Sequence, residues 1–166
     1  MMNHLAIFCV ICYNIHKKGK EVDEKMTIQT VKQDILQLDR NQFAIAHCIS
    51  GDFTLGAGLA KKINEQFDMS NKLKNKYSIH NGDRVALYMD GFFNLVTKDC
   101  YKDKATYDGL REALNDLKIN LFYFDSKKLA IPRLGCGKDR LDWNVVEAII
   151  HECFDNMDIE IFVCTL

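Results

Sequence analysis

Proline is nearly absent from this chain of 166 residues: Pro132 is the single example, and Trp143 is the single tryptophan. The shortage excludes proline-rich linkers and collagen-like arrays, and neither a repeat nor a low-complexity tract is present. Excess charge is missing too. With 22 Lys and Arg against 23 Asp and Glu, the formal net charge is −1, so the basic footprint of a dedicated nucleic-acid binder is lacking. The apolar run from Leu5 to Tyr13 falls far short of the ~20 residues that span a bilayer. It also lacks the charged n-region and the small-residue cleavage site of a signal peptide.

Cysteines are plentiful, at positions 9, 12, 48, 100, 136, 153 and 164. Their odd number and placement in apolar runs favour free thiols in a reducing, cytoplasmic compartment over a disulfide scaffold. Cys9 and Cys12 form one C-x-x-C with no second pair and no histidine cluster to complete a zinc site, so no metal is expected. Hydrophobic residues at 48% and charged residues at 27% are ordinary for one globular domain with a real core. Residues 1–25, apolar and then densely charged, read as an N-terminal extension, either an added strand or a flexible segment. The domain proper is expected over 26–166.

From Met26 onward short apolar runs alternate with helical periodicity. Ile28–Val31 and Phe43–Ile49 read as strands, the second apolar enough to be buried on both faces. Ala57–Phe67 reads as a helix, and a shorter one follows around Ser70–Tyr77. Arg84–Met89 and Phe92–Thr97 form strands around an Asp90-Gly91 turn. Leu110, Leu114, Leu117, Leu121 and Phe124 recur at steps of 4, 3, 4 and 3, which predicts a long amphipathic helix from about Ala105 to Asp125. Lys128–Ile131 is a strand stopped by Pro132. Asp142 caps a helix carrying Trp143, Val146, Ile149, Ile150 and Cys153, and Ile159–Cys164 closes the chain as a strand. Such alternation implies an α/β fold of layers around a mixed sheet, with ligands expected outside the carboxyl ends of the strands.

Two loops with glycines follow predicted strands. The first is Ser50-Gly51-Asp52-Phe53-Thr54-Leu55-Gly56-Ala57-Gly58, which runs into a helix. Small residues there let backbone N–H groups approach a ligand, and the helix N-terminus adds partial positive charge. The second is Pro132-Arg133-Leu134-Gly135-Cys136-Gly137-Lys138-Asp139-Arg140. Two such anion cradles suit a diphosphate. Neither carries the G-x-G-x-x-G or the G-x-x-x-x-G-K-[ST] fingerprint.

The runs Ala46-His47-Cys48-Ile49-Ser50, Gly56-Ala57-Gly58-Leu59-Ala60, Leu95-Val96-Thr97-Lys98 and Pro132 to Leu141, with the ending Cys164-Thr165-Leu166, occur in this order. On them the chain resembles the macrodomain family, and within it the terminal ADP-ribose protein glycohydrolases. The resemblance implies a single three-layer domain with helices on both faces of its sheet. It implies Lys98 as nucleophile and Asp139 as the acid that works with it. It implies that Asp34 and Ile35 receive the adenine and that Leu166 lines the adenosine end. Ser50, Gly56, Ala57, Gly58 and Leu59 would then lie near the distal ribose and diphosphate. Arg133, Leu134, Gly135, Cys136, Gly137 and Lys138 would form the second phosphate loop. The asparagine-rich first loop of the mono-ADP-ribosyl hydrolase branch is replaced by His47, Cys48 and Ser50, which favours the lysine route.

The implied reaction is attack of unprotonated Lys98 on C1″ of the distal ribose, expelling a carboxylate. Asp139 then helps water resolve the lysyl adduct. The expected substrates are ADP-ribosylated proteins linked through Glu or Asp, or O-acyl-ADP-ribose. ADP-ribosylated DNA draws no support from the charge. A monomer without cofactor is expected. The alternatives are a non-catalytic ADP-ribose reader and an ADP-ribose 1″-phosphate phosphatase. His47, inside an apolar strand, reads as a core histidine and Trp143 as core. Asp99 should point away from Lys98 by strand alternation. Cys136 reads as a small residue lining the pocket. A cysteine phosphatase would need an arginine six positions on, where Asp142 stands.

Overall fold

The computed structural model describes residues 25–166. The expectation for the N-terminal extension, and the Cys9–Cys12 pair, lie outside that range apart from Lys25. Six strands form one sheet: β1 (Thr27–Lys32), β2 (Ala44–Ser50), β3 (Ala86–Met89), β4 (Phe92–Lys98), β5 (Lys128–Ile131) and β6 (Glu160–Thr165). Their order across the sheet is β1-β6-β5-β2-β4-β3. All neighbours are parallel except β3 and β4, which pair antiparallel around the Asp90-Gly91 turn. The mixed sheet is as expected.

Helices cover both faces. On one side α1 (Gly58–Phe67) and α2 (Met69–Lys76) pack Ile63, Met69 and Leu73 against Ile45, Phe92 and Val96. On the other, α3 (Tyr107–Tyr123) and α4 (Trp143–Phe154) bury Leu110, Leu114, Leu117, Leu121, Val146 and Ile150 against Phe93, Leu95 and Leu129. The four leucines lie on one stripe because steps of 4 and 3 keep side chains in register with a 3.6-residue turn. The expected fifth member, Phe124, is not in the helix: it is the C-cap residue, half exposed, and its ring lies 4.6 Å from that of Tyr88. Left-handed Asp125 ends the helix there, and Ser126 N–H donates back to Leu121 O at 3.0 Å.

Thr106 Oγ1 accepts from Gly109 N–H and Asp142 Oδ1 from Asn144 N–H, capping α3 and α4. A Cβ at Gly109 would lie 2.9 Å from Thr97 O. Only glycine lets α3 approach so closely the strand end that carries Lys98. Trp143 is half-buried rather than core: it packs on the α3–α4 cluster while the Arg133 guanidinium sits over its ring at 5.8 Å.

One polar pair crosses the centre of the sheet. His47 on β2 faces Asn94 on β4, with Nε2 and Oδ1 2.7 Å apart. Asn94 Nδ2 donates to Leu87 O, so Oδ1 is the acceptor and His47 carries its proton on Nε2. Nδ1 is buried with no hydrogen-bond partner. The core histidine expected from the sequence is thus half satisfied. Burial pushes its pKa down to about 4, against a smaller opposing pull from Asn94.

Two outcomes follow from this packing. Leu117→Ala should cost about 2–5 kcal/mol in urea unfolding, because Leu117 is fully enclosed. The lowered pKa of His47 contributes stability that is complete above the unfolded value of ~6.5 and is lost as pH falls towards 4. That loss is on the order of 3 kcal/mol. Urea midpoints at pH 7 and pH 4.5 should therefore drop further for the native chain than for His47→Gln; equal drops would contradict the assignment.

Candidate active site in the crevice between β2 and β5

The neighbours β2 and β5 send the chain in opposite directions: β2 leads to α1 on one face and β5 to α4 on the other. A crevice must open outside their carboxyl ends. It holds two adjoining cavities that share Gly58, Leu59 and Pro132. The larger, about 290 Å³, is lined by the first glycine loop, the end of β4 and the second glycine loop. The smaller, about 280 Å³, is lined by Asp34, Ile35, Lys62, Cys164 and Leu166 among others.

Lys98 lines the larger cavity. Up to Ile49 and Val96, β2 and β4 pair in register; Ser50 then pairs with Lys98, leaving one extra residue, Thr97, on β4. This bulge re-aims the last side chain of the strand. Lys98 Nζ donates to Asp139 Oδ1 at 2.7 Å, and about nine-tenths of each side chain is out of solvent. The same oxygen accepts from Ala105 N–H at 3.2 Å. Oδ2 is bonded to nothing among the described residues. Asp99 points elsewhere, as alternation predicts: its Oδ1 accepts from Gly82 N–H and Arg84 Nη1. Those two donors, Gly82 first, hold its pKa below the usual carboxylate value.

The second loop depends on left-handed backbone. Gly135 has φ +68°, and a Cβ there would lie 2.6 Å from Leu141 Cδ1. Leu141 N–H in turn donates to Gly135 O at 2.9 Å, closing the loop on itself. Arg140 is also left-handed, at φ 58°, as are Phe53 and Leu55 in the first loop. Non-glycine residues held there store strain, a mark of sites where loop shape serves a ligand. α1 begins after Ala57, whose side chain offers no cap. Its first N–H groups therefore face the crevice without a side-chain acceptor, the arrangement that binds anions.

Most residues singled out in the sequence meet in this crevice. Ser50, Gly56, Ala57, Gly58, Leu59, Lys98, Arg133, Leu134, Gly135, Gly137, Lys138 and Asp139 line the larger cavity. Asp34, Ile35 and Leu166 line the smaller. Asp34 Oδ1 accepts from Leu36 N–H and caps the 3-10 turn Ile35–Gln37. Cys136 is the exception. Its side chain packs against the α3–α4 core and its Sγ contacts Leu134 O rather than the cavity, because the turn at Gly135 rotates it inward. Burial raises the pKa of its thiol, which argues further against a thiolate nucleophile. Cys48, also on the cavity wall, is pushed up to about 12 by burial and then by the charge of Asp139.

Four contributions were missed in the sequence. The Thr97 bulge and the Ala105 N–H have no local signature. Asp52 has one, since a carboxylate two residues after a strand-end serine commonly folds a turn. Burial alone would raise its pKa, but hydrogen bonds from Ser50, Tyr101, Cys100 and Thr54 hold it well below the usual range. Tyr101, its backbone N–H on Asp52 Oδ2 at 2.9 Å, lines the cavity as well. Among the described residues no group of three metal-ligating side chains occurs, and no helix is long and apolar enough to cross a membrane.

No family model matches the chain. Over 148 residues it is 36% identical to the ADP-ribose glycohydrolase OARD1 of Bos taurus and equally to that of Homo sapiens, covering 88% of this chain and 96% of each relative. The macrodomain of Thermus aquaticus DarG superposes with a TM-score of 0.69 at 18% identity, over 85% of this chain and 99% of that one. Thermosipho africanus DarTG in complex with ADP-ribose gives 0.66 at 20% identity, over 88% of this chain and 43% of that one. With its six-stranded mixed sheet, helices on both faces and a relative matched almost from end to end, the chain is a macrodomain and belongs to the family of the ADP-ribose glycohydrolase OARD1.

Proposed function

We propose that this protein binds ADP-ribose along the two-lobed crevice and hydrolyses it from acyl-linked carriers, with Lys98 as nucleophile and Asp139 as its acid–base partner. The observation that carries this reading is the enclosed Lys98–Asp139 contact of 2.7 Å at one end of the crevice. The relatives' names, ADP-ribose glycohydrolase and DarTG in complex with ADP-ribose, support the ligand. In this reading the adenosine end lies between Ile35, Asp34 and Leu166, and the diphosphate lies at the α1 N-terminus and the second loop. The distal ribose then reaches Lys98.

The neutral amine of Lys98 attacks C1″, the C1″–O bond breaks, and the acyl carboxylate leaves with the bonding pair. Asp139 accepts the proton that Nζ sheds. Asp139 next returns that proton to Nζ as the C1″–N bond breaks and the amine leaves with the bonding pair. Again a carboxylate, it takes a proton from the water whose oxygen attacks C1″, and free ADP-ribose is released. Oδ2 of Asp139, which no described residue bonds, supports its role towards water. The carriers proposed are Glu- or Asp-linked protein and O-acyl-ADP-ribose.

Release of ADP-ribose from a glutamate-linked protein tests this. Lys98→Ala should abolish release, and Asp139→Asn should slow it about 10²–10⁴-fold. Mass spectrometry of the native chain mixed with substrate should find an ADP-ribosyl adduct on Lys98. Full release by Lys98→Ala would sink the nucleophile assignment. Binding of ADP-ribose by the native chain without turnover would make it a reader, and phosphate release from ADP-ribose 1″-phosphate would mark a phosphatase.

A further inference from the structure

Asp52 is tied to both of the strands that end beside Lys98. The β2–β4 ladder runs on past the strands, with Gly51 N–H on Lys98 O at 2.9 Å and Asp52 N–H on Asp99 O at 3.0 Å. The Asp52 carboxylate then gathers donors from two directions. Oδ1 accepts from Ser50 Oγ at 2.6 Å and from Thr54 N–H at 3.1 Å, and Oδ2 accepts from Tyr101 N–H at 2.9 Å. Against the opposing pull of burial, these bonds keep the group ionised at neutral pH. A carboxylate has no proton to give, so the direction of the bond to Ser50 is fixed: the hydroxyl donates. Ser50 itself pairs with Lys98 in the sheet, is buried, and lines the larger cavity. A serine hydroxyl has one proton and two lone pairs. With the proton committed to Asp52, Oγ has only acceptor capacity left, and no described residue donates to it.

We infer that Asp52 is a positioning residue that makes Ser50 Oγ an acceptor-only group, which receives a hydroxyl of the distal ribose beside Lys98. The inference rests on the ADP-ribose reading above and deepens it. A bond of 2.6 Å to an ionised oxygen is of the charge-assisted kind. Such a bond polarises the hydroxyl and strengthens its oxygen as an acceptor. A sugar hydroxyl can donate to that oxygen. A phosphate oxygen carries no proton and would meet lone pairs there, so the spot is closed to the anionic part of the ligand. The diphosphate is thereby left to the backbone N–H groups at the start of α1, and the sugar is kept at the lysine. Asp52 acts through Ser50, because its own oxygens already hold Ser50, Thr54 and Tyr101.

The test measures Kd for ADP-ribose and for ADP, which lacks the distal ribose, in the native chain, Asp52→Ala, Ser50→Ala and the double variant. Each single variant should weaken ADP-ribose about tenfold, as loss of one charge-supported hydrogen bond does, and leave ADP unchanged. The double variant should bind ADP-ribose no more weakly than either single one, because the two residues act as a unit. Equal weakening of ADP-ribose and ADP in Asp52→Ala would make Asp52 a mere brace of the loop that leads to the diphosphate, and would overturn the inference. Additive losses in the double variant would overturn it as well. Should Asp52→Ala not fold, Ser50→Ala decides: an unchanged ratio of its two Kd values overturns the inference, and a loss confined to ADP-ribose upholds it. If the native chain binds ADP-ribose without turning over an acyl-linked substrate, the hydrolase reading fails and the Kd ratios still decide the role of Asp52. Absence of any ADP-ribose binding by the native chain overturns both.

Discussion

Withdrawing an ammonium and a carboxylate from water costs several kcal/mol per ion, and their mutual attraction offsets this only when geometry and additional hydrogen bonds are favourable. Lys98 and Asp139 are buried to about nine-tenths at a separation of 2.7 Å, so the surrounding structure has to supply that geometry. It does so from three directions. The β4 bulge aims the lysine, the closed turn from Gly135 to Leu141 delivers the aspartate, and Ala105 N–H donates to the carboxylate. Removing any of these leaves a buried charge without its compensation.

The crevice around this pair is polar at its loops and apolar beneath them. Phe53 and Leu55 of the first loop are left-handed and buried at once, so hydrophobic packing holds a backbone shape that those residues would not choose alone. Leu141 packs against the α3–α4 core while crowding Gly135. Core packing thus reaches directly into the loops that face the ligand. The neutral, half-satisfied His47 below them belongs to the same economy: it joins the two strands that end at the site without placing a second charge near the pair.

Much of this was legible beforehand because it is encoded locally. The leucine stripe of α3, the cap Asp142, the Asp90-Gly91 turn and the stop at Pro132 are each set by residues within a turn or two of one another. Boundaries moved by one or two residues, as at Ala57, which precedes the first turn of α1 instead of opening it. Errors arose where a side chain's neighbours came from elsewhere. Phe124 continued the helical spacing yet left the helix at Asp125, Trp143 was drawn to Arg133 at the surface, and Cys136 turned inward with its loop.

The sequence by itself determined an α/β chain with two glycine loops after strands, and a lysine at a strand end as the residue to watch. The first two follow from periodicity and turn chemistry, which act over short stretches of chain, and the lysine from the resemblance to macrodomains alone. Only the tertiary structure decided that β2 and β5 would be neighbours, that a bulge would re-aim Lys98, and that Asp52 and Tyr101 would tie one loop to another. Those contacts join residues 41 and 49 positions apart. No local preference specifies them, because their free energy is gained only once the sheet has brought its strand ends together.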